Sequence, residues 1–450
     1  MNLLLSNFEN EVQSAILSFA KEDMNNFYIH HSNAGKIIKI LAENKRIEEA
    51  LFLEQIFYKK LVKIIETEDH YNKSFSIFKD ELWNCGKHFS DKKNNFKPSK
   101  VIAFCIQSNA ILGHTEATIL VIQNLKLLYP DLKIYILSFD KKIFSGFKKI
   151  MNDLNVDIIT PLVTFNSYLE VFRWGRKICQ DFNIGTVIWV SVPTCVSCFF
   201  GYGLAYKQIY WALKFHAMYI DKSIIHIGWR GDGLNKTESI INGNLWKFFQ
   251  PPLSINVTRN NKHTINVIRN KFPKTKIFGT LAREEKLNSK EFISTLIDIL
   301  QKCPESIYVY TGRINSEILL KELKEFNLLD RCFYLGWVDT NLYSELIDIF
   351  LETFPAGCGI TAVQSLFHGN TLISKWDDST LPRLYFNDLT LAKKFSNNWK
   401  CALNREEYIN CAIEAYNNKN QIQNDDTDIV KKIKLLDANK YQIFFNIINS

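Results

Sequence analysis

The chain has 450 residues, enough for two or three domains that each bury a core. Apolar residues make up 46% and charged residues 23%, which excludes a largely disordered protein. The net charge of +8, spread without a run of five like charges, is too diffuse for a nucleic-acid binder. It suits an anionic small substrate or peripheral association with an acidic membrane surface.

The opening MNLLLSNFENE lacks the basic start and long apolar core of a signal peptide, and no uncharged apolar stretch reaches membrane-spanning length. The expected compartment is the cytoplasm. Residues 1–95 read as a helical module: Phe8, Val12, Ile16 and Phe19 recur on one helical face. The polar, proline-bearing SDKKNNFKPSK (Ser90 to Lys100) marks a boundary.

Residues 99–255 change texture. VIAFCI, KIYILSF, VDIIT, TVIWVSV, QIYWALKF and SIIHIGW are short apolar runs, as strands buried on both faces require. TEATILVIQNLKLL, a helix near Phe144 to Leu154 and SYLEVFRWGRKICQDF separate the earlier ones, which predicts a parallel sheet with crossover helices. The pattern breaks at FQPPLSINVTRNNKHT (Phe249 to Thr264). It restarts over residues 263–400 with strands KIFGTLA, SIYVYT, CFYL, FLET and TLIS. The helices between them begin near Ser289, Glu317, Thr340 (running to Ile349) and Thr361. Residues 401–450 read as a polar helical tail. The expected fold class is α/β: two Rossmann-like domains with a ligand cleft between the carboxyl ends of their strands, preceded by a small helical module.

Those strand ends carry the candidate chemistry. After KIFGT, Arg283 and Lys286 lie three residues apart and could clamp a diphosphate, or form a solvated turn paired with Glu284 and Glu285. YTGR ends the next strand with Thr311 and Gly312. LGWVD then places Trp337 and Val338, and the indole could line a base pocket or pack in the core. In LETFPAGCGITAVQSLFHGN, Gly357 and Gly359 permit close backbone approach to a ligand. The helix starting at Ile360 or Thr361 aims free N–H groups and a partial positive charge at the same point. An ordinary strand-to-helix turn is the alternative.

Taken in order, GTLAREEKL, YTGR and LGWVDTNLYSELIDIFLETFPAGCGITAVQSLFHGN resemble the C-terminal domain of GT-B nucleotide-sugar glycosyltransferases. The resemblance is to the family 41 type, the O-GlcNAc transferases and bacterial adhesin N-glucosyltransferases. It is specific over about Lys276 to Ser374, loose over Val101 to Gly228 and architectural before that. It implies that Arg283 and Lys286 neutralise the donor diphosphate, that Gly359, Ile360 and Thr361 bind it through backbone N–H groups, and that the Trp337–Val338 backbone meets the nucleobase. Gln364 stands where such enzymes usually carry a carboxylate for the ribose hydroxyls, and an amide bonds a diol more weakly. Ala356 stands near the place of the Glu of many retaining members.

The first domain would supply the acceptor side. His114, Thr115 and Glu116 follow the first strand, and His216 follows YWALKF ahead of Ile220–Asp221. His114, His216 or Glu116 could act as the base. Each histidine has a structural alternative, and Glu116 with Thr115 could instead cap the helix. His226, between apolar neighbours, reads as core.

The ten cysteines are scattered, and most, like Cys105, Cys179 and Cys332, lie in apolar runs as buried free thiols do. Cys195 and Cys198 form a C-x-x-C pair without a second pair or a His pair at zinc spacing, and read as structural thiols. No P-loop motif occurs. GYGLAY holds two of the three glycines of a dinucleotide fingerprint, without a clear helix opening. The Asp-Thr-Asp at Asp426 to Asp428 reads as a helix cap. No metal site and no cofactor are expected. The expectation is hexose transfer from a UDP-sugar to a protein or glycan acceptor, with inversion and without a metal. A non-catalytic GT-B partner subunit that binds a glycan or stabilises an active transferase is the alternative. An epimerase on the same fold is a third reading.

Overall fold

The computed structural model describes residues 2–65, 67–90, 96–106, 113–190, 195–213, 218–228, 237–249, 262–386, 388–418 and 440–449. Two compact units divide the chain. The first holds Met1–Trp229, Thr237–Pro252 and Lys440–Ser450, and the second holds Arg230–Lys236 and Leu253–Asn439.

The first unit opens with α1 (Asn2–Ala20), α2 (Met24–Glu43), α3 (Ile47–Phe57), α4 (Glu68–Ser76) and α5 (Lys79–Phe89). The apolar stripe of α1 is turned inward: Phe8 and Val12 are buried, with Ile16 and Phe19 against the same core. Asp23 and Thr67 cap α2 and α4 by accepting backbone N–H groups. Then follow β1 (Val101–Ile106), α6 (Gly113–Leu128), β2 (Ile134–Ser138), α7 (Ser145–Asp153), β3 (Asp157–Ile159) and α8 (Tyr168–Asp181). The unit continues through β4 (Ile184–Val190), α9 (Val196–Tyr202), β5 (Lys207–Trp211), β6 (Ile225–Gly228), β7 (Glu238–Ile241) and β8 (Asn244–Phe248). The sheet order is β3-β2-β1-β4-β5-β6-β8-β7, with order reversing at β1 and β4. Pairing is parallel except between β7 and β8. That antiparallel hairpin turns on Asn242 and Gly243, both at positive φ, and the sequence reading passed over it.

The leading helices are built into this unit. Leu51, Phe57 and Leu61 share one core with Trp189, Phe199 and Tyr202. Two carboxylates of α3 meet the starts of other helices, where N–H groups lack intrahelical partners. Glu48 accepts the N–H groups of Tyr168 (2.7 Å) and Leu169 (3.1 Å) at the start of α8. The buried Glu54 accepts that of Cys195 (2.8 Å) at the start of α9, and burial pushes its carboxyl up to about 8. Helix α5 lies against α9 backbone to backbone. A Cβ on Gly86 would fall 2.0 Å from the Cys198 carbonyl oxygen, and one on Gly201 would fall 2.2 Å from that of Trp83.

The second unit runs α10 (Lys262–Lys271), β9 (Ile277–Thr280), α11 (Glu284–Leu287), α12 (Lys290–Lys302), β10 (Ile307–Tyr310), α13 (Glu317–Glu325), β11 (Cys332–Tyr334) and α14 (Thr340–Tyr343). It continues through β12 (Ile349–Leu351), α15 (Ile360–Phe367), β13 (Thr371–Lys375), α16 (Leu381–Tyr385), α17 (Leu389–Lys394), β14 (Trp399–Ala402) and α18 (Arg405–Asn417). Its sheet is parallel throughout, in the order β11-β10-β9-β12-β13-β14. The helix expected from Thr340 to Ile349 stops early. A 3-10 turn (Ser344–Leu346) follows α14, and Asp348 then accepts the Ile277 N–H (2.8 Å) and pairs with Arg269 (3.0 Å).

The described parts of the stretch read as a polar tail, the end of β14 and two helices, are packed rather than solvated. Tyr408, Ile409 and Ala412 of α18 join the second core. The last helix, α19 (Lys440–Asn449), belongs to the first unit, where Phe444 packs on Phe249 with ring centroids 4.4 Å apart. Among the described residues no helix is long and apolar enough to cross a membrane. The segment Asp426 to Asp428 and most of Phe249 to Thr264 lie outside the described residues.

Gly86→Ala should lower the stability measured by urea unfolding by on the order of 3 kcal/mol, because no backbone can retreat from that contact. Gly175→Ala on α8, where the added carbon meets a Leu204 methyl at 3.5 Å, should change it by less than about 1 kcal/mol. A pH effect comes from the buried His31 and His70. His31 Nε2 lies 2.9 Å from Ser74 Oγ, and burial holds its imidazole down to about 3. A folded-state value below the unfolded one, about 6.5, means stability is complete above that pH and is lost as pH falls below it. Thermal melts should therefore show a decline between pH 7.5 and 5 that His31→Gln reduces.

Candidate functional site

The site candidates of the second unit gather at the carboxyl ends of β9, β10 and β12. Gly359 caps α15 at φ +57 with open space around its α-carbon, so the backbone angle itself calls for glycine. Val363 is the first residue of α15 whose N–H finds an intrahelical acceptor, Gly359 O at 3.2 Å. The N–H groups of Ile360, Thr361 and Ala362 precede it and have no hydrogen-bond acceptor among the described residues. Thr361 Oγ1 donates to the Leu281 carbonyl (2.6 Å), which ties the helix start to the end of β9 and leaves the Thr361 N–H to face a ligand. Gly357 is glycine for another reason. A Cβ there would lie 2.5 Å from Ser379 O and from Thr380 Cα, so the turn sits directly on the loop after β13.

Two cations border this turn. Lys286 on α11 donates to the Gly357 carbonyl. Arg283, the N-cap of α11, is half-buried; its carbonyl accepts the Lys286 N–H (3.0 Å), and its guanidinium has no hydrogen bond or ion pair among the described residues. The pairing considered for Glu284 and Glu285 goes elsewhere, to Arg313. Glu284 accepts the Arg313 backbone N–H (2.8 Å) and its guanidinium (2.9 Å), and Glu285 accepts from the same guanidinium. Arg313 and the local hydrogen bonds hold the Glu284 carboxyl below its usual value despite burial. The acids next to Arg283 and Lys286 are thereby neutralised from outside.

Thr311 and Gly312 shape the site rather than reach into it. Thr311 is 3% exposed, and its Oγ1 accepts the Ala282 N–H (2.9 Å) and donates to Ala282 O (3.0 Å), which sets the course of the chain into Arg283. Gly312 donates its N–H to Gly336 O (3.3 Å) and accepts from the Tyr334 hydroxyl (2.7 Å). Gly336, at φ +77, then presents Trp337, which is 58% exposed and therefore not a core residue, while Val338 is half-buried. Gln364 is 7% exposed, and its Oε1 accepts the Thr340 hydroxyl (2.9 Å). Its side chain thus offers its amide N–H groups.

Sequence reasoning missed Glu352, which follows β12. It is fully buried, Oε1 accepts the Leu381 N–H (2.9 Å), and Oε2 has no hydrogen-bond partner among the described residues. Burial pushes its carboxyl up to about 7, against the pull of Ser374, the N–H groups of Leu381 and Gly359, and Lys286. An acidic residue at the end of an apolar strand was the available signal.

In the first unit, His114 and Glu116 are half-buried in the first turn of α6, and Thr118 donates to the His114 carbonyl (2.8 Å). Thr115 is fully buried and its hydroxyl has no partner among the described residues, so it caps none of the helix N–H groups described. His216 lies outside the described residues. Asp221 accepts from the Ser223 N–H (2.9 Å) and hydroxyl (2.5 Å). His226 is buried, accepts the Ile220 N–H (2.9 Å) and stacks on Tyr219, as a core residue does. Cys195 and Cys198 are buried at α9 and form no disulfide, with Cys85 beside Cys198. Among the described residues no group of three or more His, Cys, Asp or Glu could hold a metal ion.

No protein-family model matches the chain, and no curated protein does. Solved structures match it in shape. A mutant of the Thermobaculum terrenum O-GlcNAc transferase aligns over 99% of this chain and 96% of its own, with a TM-score of 0.56 at 11% identity. Anabaena HepE in complex with UDP and glucose aligns over 78% of this chain and 97% of its own, at 0.53 and 12%. WaaG, a glycosyltransferase involved in lipopolysaccharide biosynthesis, aligns over 77% and 99%, at 0.51 and 9%. The chain has the GT-B fold. At these identities the likeness establishes the fold alone.

The Arg313 arrangement has a measurable consequence. Arg313→Ala frees Glu284 and Glu285 to neutralise Arg283 and Lys286, and should weaken pyrophosphate binding by about tenfold in calorimetry. Adding Glu284→Gln and Glu285→Gln should restore most of the loss.

Proposed function

We propose that this GT-B chain transfers a hexose from a UDP-sugar to a protein or glycan acceptor, with inversion and without a resident metal ion. One observation carries the reading. Lys286 donates to the Gly357 carbonyl and Thr361 ties the start of α15 to the chain just before Arg283, while Glu284 and Glu285 are paired to Arg313. That arrangement suits a diphosphate. HepE, of the same fold, is described in complex with UDP and glucose, which supports a nucleotide sugar as the ligand.

In the proposed reaction the bond between the sugar C1 and the β-phosphate oxygen breaks, and its electron pair leaves with the diphosphate. The acceptor nucleophile bonds C1 from the opposite face and gives its proton to a base. His114, His216 and Glu116 are the candidates for that base. Charge grows on the diphosphate as the bond breaks, so Arg283, Lys286 and the Ile360 and Thr361 N–H groups bind it more strongly in the transition state than in the ground state. Trp337 and the Val338 backbone border the place of the nucleobase, and Gln364 donates to the ribose. The reading places the protein in the cytoplasm, and its +8 charge suits peripheral association with an acidic membrane surface.

Gln364 favours one other reading. With Oε1 taken by Thr340, it lacks the charged acceptor that would hold a ribose diol tightly. A non-catalytic partner subunit would tolerate that weakness.

Lys286→Ala should lower the turnover number at least tenfold, the cost of about one charge-assisted contact. Unchanged turnover contradicts the assignment. Gln364→Glu should tighten UDP binding several-fold, since a carboxylate bonds hydroxyls more strongly than an amide. A screen of nucleotide sugars that yields neither a thermal shift nor donor hydrolysis favours the partner-subunit reading.

A further inference from the structure

Glu352 sits directly beneath the turn that carries Gly357 and Gly359. A Cβ on Gly357 would come within 2.7 Å of its Oε1. Its full burial and the unpartnered Oε2 make an ionised carboxylate costly there. What favours the ionised form is, in falling order, the Ser374 hydroxyl, the N–H groups of Leu381 and Gly359, and the Lys286 ammonium, the one full charge among them. The other titratable groups facing it are Cys358 on the turn, Cys401 on β14 and Tyr408 on α18. Burial raises all three above their usual values, so they are neutral near pH 7.

We infer that Glu352 is a proton acceptor coupled to the anion cradle, taking up a proton when a nucleoside diphosphate binds above it. The inference rests on the proposed function, which puts a diphosphate on the turn. Two effects act in the same direction. The diphosphate brings negative charge close to Glu352, and it draws on the Lys286 ammonium that Glu352 otherwise shares. Both make the buried carboxylate harder to keep ionised. Once Glu352 is neutral, the whole charge of Lys286 serves the phosphate. The free carboxyl lies near 7, so physiological pH is where the exchange occurs. The sign follows: proton affinity is higher in the complex than in the free protein, so diphosphate affinity rises as pH falls through neutrality.

The test is calorimetric titration of UDP into the full chain at pH 7, in two buffers of different ionisation enthalpy. The terminal phosphate of UDP titrates as well, so the quantity read is the difference between wild type and Glu352→Gln. The expected difference is roughly half a proton per UDP, and wild-type affinity should fall about fivefold more than that of the variant from pH 6.5 to 8. Infrared difference spectra of the wild type alone should show a protonated-carboxyl band on UDP addition, which keeps the test intact if the variant does not fold. UDP binding with equal proton uptake by both proteins, or without that band, overturns the inference and leaves the donor reading standing. Absence of UDP binding to the wild type overturns both.

Discussion

A hydrogen bond from the Thr361 hydroxyl to the Leu281 carbonyl, 2.6 Å long, fixes where α15 starts against the end of β9. The rest of the site depends on that registration. It spends the Thr361 side chain on structure and leaves the backbone N–H groups for a ligand. Thr311 holds Ala282 from both sides, so the chain reaches Arg283 on a set course. Gly357 lets the turn rest on Ser379 and Thr380 with no side chain between them. Donors held by the scaffold need little rearrangement when an anion arrives, and such preorganisation is the larger part of electrostatic catalysis.

Helix starts are treated in two ways. Those of α8, α9 and α16 are met by internal carboxylates, Glu48 and Glu54 from α3 and Glu352 after β12. At α15 the Ile360 to Ala362 N–H groups have no such hydrogen-bond partner among the described residues, and Glu284 and Glu285 are held by Arg313. A helix start filled by an internal carboxylate is closed to an external anion, whereas an unfilled one attracts it. The leading helices therefore act as structural ligands of the first unit. Their contribution is electrostatic as well as apolar, since one core spans both the helices and the sheet.

Much of the fold was legible because strands buried on both faces must be apolar throughout. VIAFCI became β1 with five of its six positions buried. The β7–β8 hairpin was missed although Asn242–Gly243 is a strong turn signal, because strands of four and five residues show too little alternation to register. The helix beyond Tyr343 was overextended because Asp348 is claimed by Arg269 and Ile277, partners remote in sequence. In the site, the glycines of the turn were readable from their conformational role. The destination of Glu284 and Glu285 was not, because Arg313 reaches them only once β9 and β10 lie side by side in register. Glu352 was hidden for the same reason, since its burial and its Leu381 partner arise from folding. The Gln364 departure was visible, but its Thr340 contact was not.

A crystal structure of the chain with UDP is the most direct test of the diphosphate cradle. The account predicts the diphosphate within hydrogen-bond distance of the Ile360 and Thr361 backbone N–H groups, with Arg283 and Lys286 on its oxygens and the base beside Trp337. UDP bound elsewhere, or electron density empty at this turn under saturating UDP, would contradict it.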